Sequence, residues 1–321
     1  MAVEPNPIPP QSAVGNPGLW RKRLDLEQRW RLHEGTEEDF TTRRKRWLAR
    51  LVRIGLTPLG LYRRGRRNTW QPQLEHHTFH FDHLPRGLHG LRILHLSDFH
   101  FSSKDQTHVD AIARLIRGLE VDLCLITGDY KFGHYGPVEH VGPSMAQILG
   151  GLHAQHGVFS VLGNHDVGAV VQILEASSVR MLVNAGAQLC IHGAPLWIAG
   201  VDDPHKFQCD DLDAALQGAP ANAFKILLAH TPEIIPQAEA AGISLYLTGH
   251  THGGQICFPL IGALTMNTRC HRRYTRGAWR HGAMQGYTVR GLGTSDLPLR
   301  FLCLPEAMLL TLQPTSTETS V

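Results

Sequence analysis

The sequence predicts an α/β protein whose sheets are covered by helices. Three observations lead there. From about Gln71 onward, short runs of Val, Ile and Leu alternate with stretches of helical spacing. The runs are apolar at every position rather than every second one, which marks strands buried on both faces. Five of the runs end in a short cluster of Asp, Asn or His, where open α/β sheets place their sites.

The elements follow in order. Leu91–Ser97 (LRILHLS) reads as a buried strand, and Asp110–Leu119 has helical spacing. Asp122–Thr127 (DLCLIT) is a strand, Ser144–Leu152 a helix, Gly157–Leu162 (GVFSVL) a strand and Ala169–Ala176 a helix. Leu189–Val201 reads as one or two strands around a turn at Gly193–Pro195, and Leu212–Leu216 as a short helix. Phe224–Ala229 is a strand, Pro232–Ala241 a helix, Ser244–Thr248 a strand, and Met308–Leu312 a last strand. His76, His77, His80, His83 and His89 precede the first of these clusters and read as surface or edge-strand residues.

The N-terminal region has another character. Residues 1–19 carry five prolines and few large apolar side chains, so they read as a disordered tail. Residues 20–70 form a basic helical extension, beginning with a short helix at 20–33. The main domain spans 71–314, and 315–321 is a tail. Between Arg43 and Arg67 there are ten Lys/Arg and no acidic residue, although the whole chain of 321 residues carries only +3. On a helix, Trp47, Leu48, Leu51, Val52 and Leu59 share one face and most of the arginines lie off it. Such a helix suits an anionic membrane surface; it suits equally a helix packed on the main domain with its arginines in water. Trp47–Tyr62 is too short to span a bilayer and is interrupted by Arg50, Arg53 and Pro58. The first residues lack the charged-then-apolar pattern of a signal peptide. None of the six cysteines forms a CxxC pair, and Cys124 and Cys257 read as small buried hydrophobes. Reduced thiols and a cytoplasmic location, peripheral to the inner membrane face if the basic segment binds it, fit these features.

The chemistry resides in five clusters: Asp98-Phe99-His100, Gly128-Asp129, Gly163-Asn164-His165-Asp166, His230, and Gly249-His250-Thr251-His252. Each alone is weak; the ordered set, each directly after an apolar strand, is specific. It resembles the calcineurin-like metallophosphoesterases over roughly residues 88 to 312. That resemblance implies a four-layer α/β/β/α sandwich with two divalent cations at one edge. Asp98, His100 and His252 would hold the first cation, Asn164, His230 and His250 the second, and Asp129 would bridge both. Mixed imidazole and carboxylate ligands suit Mn, Fe, Zn or Ni better than Ca. A carboxylate between two cations offsets their repulsion, and the pair acidifies the attacking water. In the family pattern His165 is not a ligand; it would stabilise the transition state or protonate the leaving oxygen, with Asp166 fixing its tautomer.

The stretches Ile198–Asp203, Leu227–Pro232, His250–Gln255 and Gly291–Ser295 resemble the bacterial YaeI-like and YkuE-like branch, which includes enzymes similar to UDP-2,3-diacylglucosamine hydrolases. Relatives there carry a twin-arginine signal or a membrane anchor. Here Arg43-Arg44 is followed by Lys-Arg-Trp and a broken apolar stretch. Arg269 and Arg272 are candidates to grip a substrate phosphate, and His205 to line the pocket; a solvated loop accounts for them equally. The reaction expected is hydrolysis of a phosphodiester or pyrophosphate in a phosphorylated small molecule or lipid-linked nucleotide. Nuclease or cyclic-nucleotide chemistry is the alternative, but a nucleic-acid partner is not expected, because the basic charge is N-terminal rather than across the site. A non-catalytic scaffold would have lost ligands, and every ligand position is filled.

Overall fold

Two six-stranded sheets lie face to face in the computed structural model, which describes residues 13–32, 47, 50–102, 105–134, 136–263, 266–295 and 297–315. The first sheet runs in the order Gln73–Phe81, Glu306–Pro314, Arg92–Leu96, Leu123–Ile126, Val158–Ser160, Val179–Met181. Its pairings are parallel except that between Glu306–Pro314 and Arg92–Leu96. The second runs Gly277–His281, Met284–Thr288, Leu245–Thr248, Phe224–Leu228, Ala194–Gly200, Ala185–Ile191, with its outermost pairings antiparallel and the inner ones parallel.

Alternation along the strands explains why they are apolar throughout. Ile93, Leu123 and Leu125 point between the sheets, where they meet Leu196, Ile198, Ile226, Leu228, Leu245 and Leu247. Leu94, Leu96, Cys124 and Ile126 point the other way, onto Val109, Ile112 and Ile116 of helix Gln106–Ile116, Val141, Met145 and Ile148 of helix Val141–Leu149, and Val170, Val171 and Leu174 of helix Ala169–Glu175. On the far side of the second sheet, Trp197, Ala199, Leu227 and Tyr246 pack on helices Leu212–Leu216 and Ile235–Ala240. Three cores between four layers make the α/β/β/α sandwich.

The boundaries shift for local reasons. The first domain helix starts at Gln106, not Asp110, because Asp105 caps it by accepting from the His108 amide. Leu189–Val201 resolves into two antiparallel strands extending back to Ala185, joined at His192-Gly193, both left-handed at φ 46° and 79°. Strand Glu306–Pro314 is longer than the run Met308–Leu312, since it pairs along its whole length with edge strand Gln73–Phe81, which carries His76, His77 and His80. All six cysteines are free thiols, Cys124 and Cys257 buried.

The N-terminal region is partly built into this frame. A helix runs over Pro17–Leu32, and Ala13, inside the stretch read as tail, is buried. Gly15 N donates to Val183 O (3.0 Å) and Val183 N to Ala13 O (2.8 Å). A second helix, Leu61–Asn68, is held where Arg300 N donates to Gly65 O (3.1 Å) and Asn68 Nδ2 to Arg300 O (2.8 Å). Residues 1–12, 33–46, 48–49 and 316–321 lie outside the described residues, so much of the tails and of the basic segment's start does too.

Candidate metal centre

The loops leaving five strands converge at one edge of the sandwich. Asp98 and His100 follow strand Arg92–Leu96, Asp129 follows Leu123–Ile126, and Asn164 and His165 follow Val158–Ser160. From the second sheet, His230 follows Phe224–Leu228, and His250 and His252 follow Leu245–Thr248. The seven expected ligands are all buried. Five have a left-handed backbone without being glycine: Asp98 at φ 55°, His100 at 48°, Asp129 at 60°, His250 at 68° and His252 at 51°. Each such residue costs on the order of 1–3 kcal/mol, and such strain gathers at functional sites.

The donor atoms form two groups that meet at one carboxylate. In the first, Asp98 Oδ1 lies 3.4 Å from His252 Nε2 and 3.9 Å from His100 Nε2, and these two ring nitrogens are 3.0 Å apart. In the second, Asn164 Oδ1 lies 3.0 Å from His230 Nε2 and 2.8 Å from His250 Nδ1. Asp129 Oδ2 stands between, 3.5 Å from His100 Nε2 and 3.2 Å from His230 Nε2. Ligand atoms of Asp98, His100 and His252, and of Asp129, His230 and His250, lie within 4.8 Å of one another. Outer contacts aim the rings: His230 Nδ1 lies 2.6 Å from Thr127 O, and His250 Nε2 contacts Asn267 O, leaving the opposite nitrogens facing inward.

These residues fit divalent cations on their own terms. Asp98 Oδ1 is buried and has no hydrogen-bond donor, whereas Oδ2 accepts from the His250 amide (3.0 Å); a buried carboxylate oxygen aimed at two imidazole nitrogens suits a cation. Burial pushes the Asp98 carboxyl up to about 6. Burial also opposes ionisation of Asp129, but His230 and its neighbours hold that carboxyl well below the usual range. Burial disfavours the His230 imidazolium, yet Asp129, Asp98 and Asp203 together outweigh it and push His230 up to about 10.

His165 stands at the same mouth. Its ring meets the His100 ring edge-on at 4.9 Å and stacks on His134 at 3.9 Å, and its amide donates to Asp129 Oδ1 (2.8 Å). Burial holds it neutral, well below the ordinary histidine range. Asp166 does not touch the His165 imidazole, and His165 Nδ1 has no hydrogen-bond partner. The expectation that Asp166 sets the His165 tautomer is therefore corrected. Both Asp166 oxygens are taken by backbone: Asp129 N and Gly163 N donate to Oδ2, and Tyr130 N to Oδ1, each at 2.8 Å. Asp166 is a loop organiser that locks the Asp129 turn to the Asn164 turn.

The remaining candidates lie further out. His205 Nδ1 pairs with Glu233 Oε1 (2.6 Å), and its ring packs on that of His250 at 4.7 Å. Arg269 and Arg272 are exposed and held by loop carbonyls of His205 and Ala263; neither lines the cleft over the centre. That cleft, about 380 Å³, is walled instead by Gln255, Ile256, Phe258, Asn267, Ser295 and Leu297. A second hollow of about 340 Å³, lined in part by His100, opens between Arg66 and Trp70 of the N-terminal extension and Phe132, Gly293 and Pro298. Sequence reading also missed Arg300, which is fully buried and donates to the carbonyls of Arg290 (2.8 Å), Gly291 (3.1 Å) and Cys303 (3.2 Å) under the site. No local pattern distinguishes it from a surface arginine.

The profile of the calcineurin-like phosphoesterases matches residues 91–254, which include every cluster of the centre. The chain belongs to this family. It is 31% identical over 247 residues to the uncharacterized metallophosphoesterase YkuE of Bacillus subtilis, covering 75% of this chain and 85% of that one. It is 30% identical over 230 residues to the phosphodiesterase YaeI of Escherichia coli, covering 69% and 82%. Among solved structures, the NAD nucleotidase of Haemophilus influenzae superposes with a TM-score of 0.39 at 15% identity, over 63% of this chain and 45% of that one. The protein is a metal-dependent phosphoester hydrolase.

Proposed function

We propose that this hydrolase cleaves a phosphodiester or pyrophosphate bond with two divalent cations, Asp98, His100 and His252 holding one, Asn164, His230 and His250 the other, and Asp129 touching both. The observation that carries this reading is the meeting of two buried donor groups at a single carboxylate. The cations would supply positive charge against the phosphoryl oxygens and acidify the attacking water. The chain's own residues do the rest. Asp166 fixes the two ligand turns, and neutral His165 lines the cleft, where its ring N–H can donate a hydrogen bond to a phosphoryl or leaving oxygen and stabilise the transition state. The two clefts, one over Asp129 and His252 and one beside His100, leave room for a substituent on each side of the phosphorus, as a diester or pyrophosphate requires. Mn, Fe, Zn or Ni suits the ligand set.

The natural substrate we favour is a lipid-linked nucleotide of the UDP-2,3-diacylglucosamine type. A basic amphipathic helix supports it. Trp47, Leu51 and Ile54, spaced for one helical face, are 63%, 46% and 68% exposed, and Arg50 and Arg53 lie among them. Exposure of these three side chains favours the membrane reading over the packed helix. Among the described residues no helix is long and apolar enough to cross a membrane; an interfacial contact with anionic lipid suits this one. UMP release from UDP-2,3-diacylglucosamine with Mn, lost in Asp129→Asn, tests the substrate, with a chromogenic diester as control. No UMP release with the diester still cleaved overturns the substrate and keeps the reaction class. Sedimentation with anionic vesicles, unchanged by Trp47→Ser with Leu51→Ser and Ile54→Ser, would refute the membrane contact.

A further inference from the structure

Helix Pro17–Leu32 lies outside the residues matched by the family profile, yet it is fastened to loops of both sheets. Arg23 is fully buried. Its Nε donates to Glu27 Oε1 (2.9 Å), its Nη2 to the carbonyls of Asp166 (2.7 Å) and Gly163 (3.4 Å), and its Nη1 pairs with Asp202 Oδ1. Glu27 in turn accepts from Gly168 N with both oxygens (3.0 Å). The Phe207 ring lies 3.8 Å from the guanidinium carbon, and Trp30 packs on Phe207 at 4.7 Å, closing the pair off from water. Burying such a charge costs several kcal/mol unless its donors are satisfied, and here the planar fork points at fixed acceptors in different loops.

Those loops belong to different sheets. Gly163 and Asp166 bracket Asn164 and His165, after strand Val158–Ser160 of the first sheet; Asp202 follows strand Ala194–Gly200 of the second. Asn164 must reach across to His230 and His250, which come from the second sheet. Asp98, His100 and His252 make no hydrogen bond or ion pair with Arg23.

We infer that Arg23 is a positioning residue: by tying the 163–166 loop to the second sheet it sets the approach of Asn164 to His230 and His250, and so the affinity for one of the two cations. This rests on the ligand assignment proposed above. Groups outside the ligand sphere typically change metal affinity by about 10- to 100-fold.

The test is Mn titration of the full chain, read by the EPR signal of free Mn, beside thermal melts. The wild type should bind two equivalents. Arg23→Gln should weaken one of them by about 10- to 100-fold and leave the other unchanged, while Lys22→Ala, on the same helix but reaching only the Gln208 carbonyl, should change neither. Arg23→Gln strands the Asp202 carboxylate, so Arg23→Gln/Asp202→Asn is the decisive variant. It should recover the melting midpoint and keep the weakened equivalent. Arg23→Lys, which keeps the charge without the fork, should restore only part of the affinity. Wild-type affinity for both equivalents in the double variant would make Arg23 merely a stabilising contact and overturn the inference. Asn164→Ala should mimic the loss of one equivalent; if it binds both normally, the ligand assignment has failed, whatever Arg23 does.

Discussion

Gly163→Ala should disable the centre without unfolding the chain. A Cβ at Gly163 would overlap Asp129 Oδ1 and stand 2.6 Å from Asp129 N and 2.9 Å from its Cγ. Carbon contacts become comfortable only near 3.5 Å, so either Asp129 or the 163–166 loop must move by about 1 Å. The Asp129 amide cannot yield freely, because it donates to Asp166 Oδ2 at 2.8 Å. The displacement therefore falls on the carboxylate between the two donor groups or on the loop bearing Asn164 and His165. Metal–ligand distances tolerate about 0.2 Å, and a misplacement of about 1 Å costs roughly 100-fold in rate. Overpacking itself costs about 1–3 kcal/mol. The expected result is a loss of diester turnover of about 100-fold or more with a melting midpoint lower by only several degrees. Turnover with Mn, melts and metal titration read this out beside Gly55→Ala, where a Cβ meets nothing within 4 Å. If Gly163→Ala keeps more than half its turnover and its metal affinity, Asp129 is not held as described.

Asp129→Asn should abolish turnover while the melt shows a folded chain; normal turnover would sink the central role of this carboxylate. His165→Asn should lower the rate by about 100-fold, as loss of a transition-state hydrogen bond does, and bind Mn as the wild type does; reduced Mn binding would make His165 a ligand instead. His95 gives a pH prediction. Its ring is fully buried, Nε2 lies 3.0 Å from Thr127 Oγ1, and burial pushes it down to about 3. With the unfolded value near 6.5, the unfolded chain takes the proton first. Stability is therefore full above about pH 6.5 and falls by about 1.4 kcal/mol per pH unit between there and about pH 3. His95→Leu removes this dependence, at a pH-independent cost of about 1 kcal/mol for the hydrogen bond to Thr127. In urea unfolding, the gap between variant and wild type should move in favour of the variant by about 2 kcal/mol from pH 7.5 to pH 5.0; an unchanged gap refutes it.

Much of the centre was legible along the chain because its ligands are local to strand ends. A buried parallel strand must be apolar at every position, so the first Asp or His after it is conspicuous, and ordered chain direction puts such residues at one sheet edge. Asp98, Asp129, Asn164, His230, His250 and His252 are found this way. Which oxygen of Asp166 meets which amide depends on how two turns approach, and spacing carries no sign of that. Arg269 and Arg272 read as candidate phosphate ligands or solvated loop residues, because charge is visible in a sequence and direction is not; in the fold they are exposed and reach loop carbonyls.

Read along the chain, strands apolar on both faces revealed the layers, and the ordered Asp and His clusters carried the resemblance to the family and with it the proposed ligand positions. Packing in three dimensions was needed to show that Asp166 serves backbone amides, that Arg300 lies buried against the Gly291 and Gly293 carbonyls, and that Arg23 joins the two sheets. Apart from Glu27, the partners of Arg23 stand 140 to 179 residues away along the chain, and a buried arginine is spelled like an exposed one. Its role is fixed by where the packed layers place acceptors with no water to satisfy them.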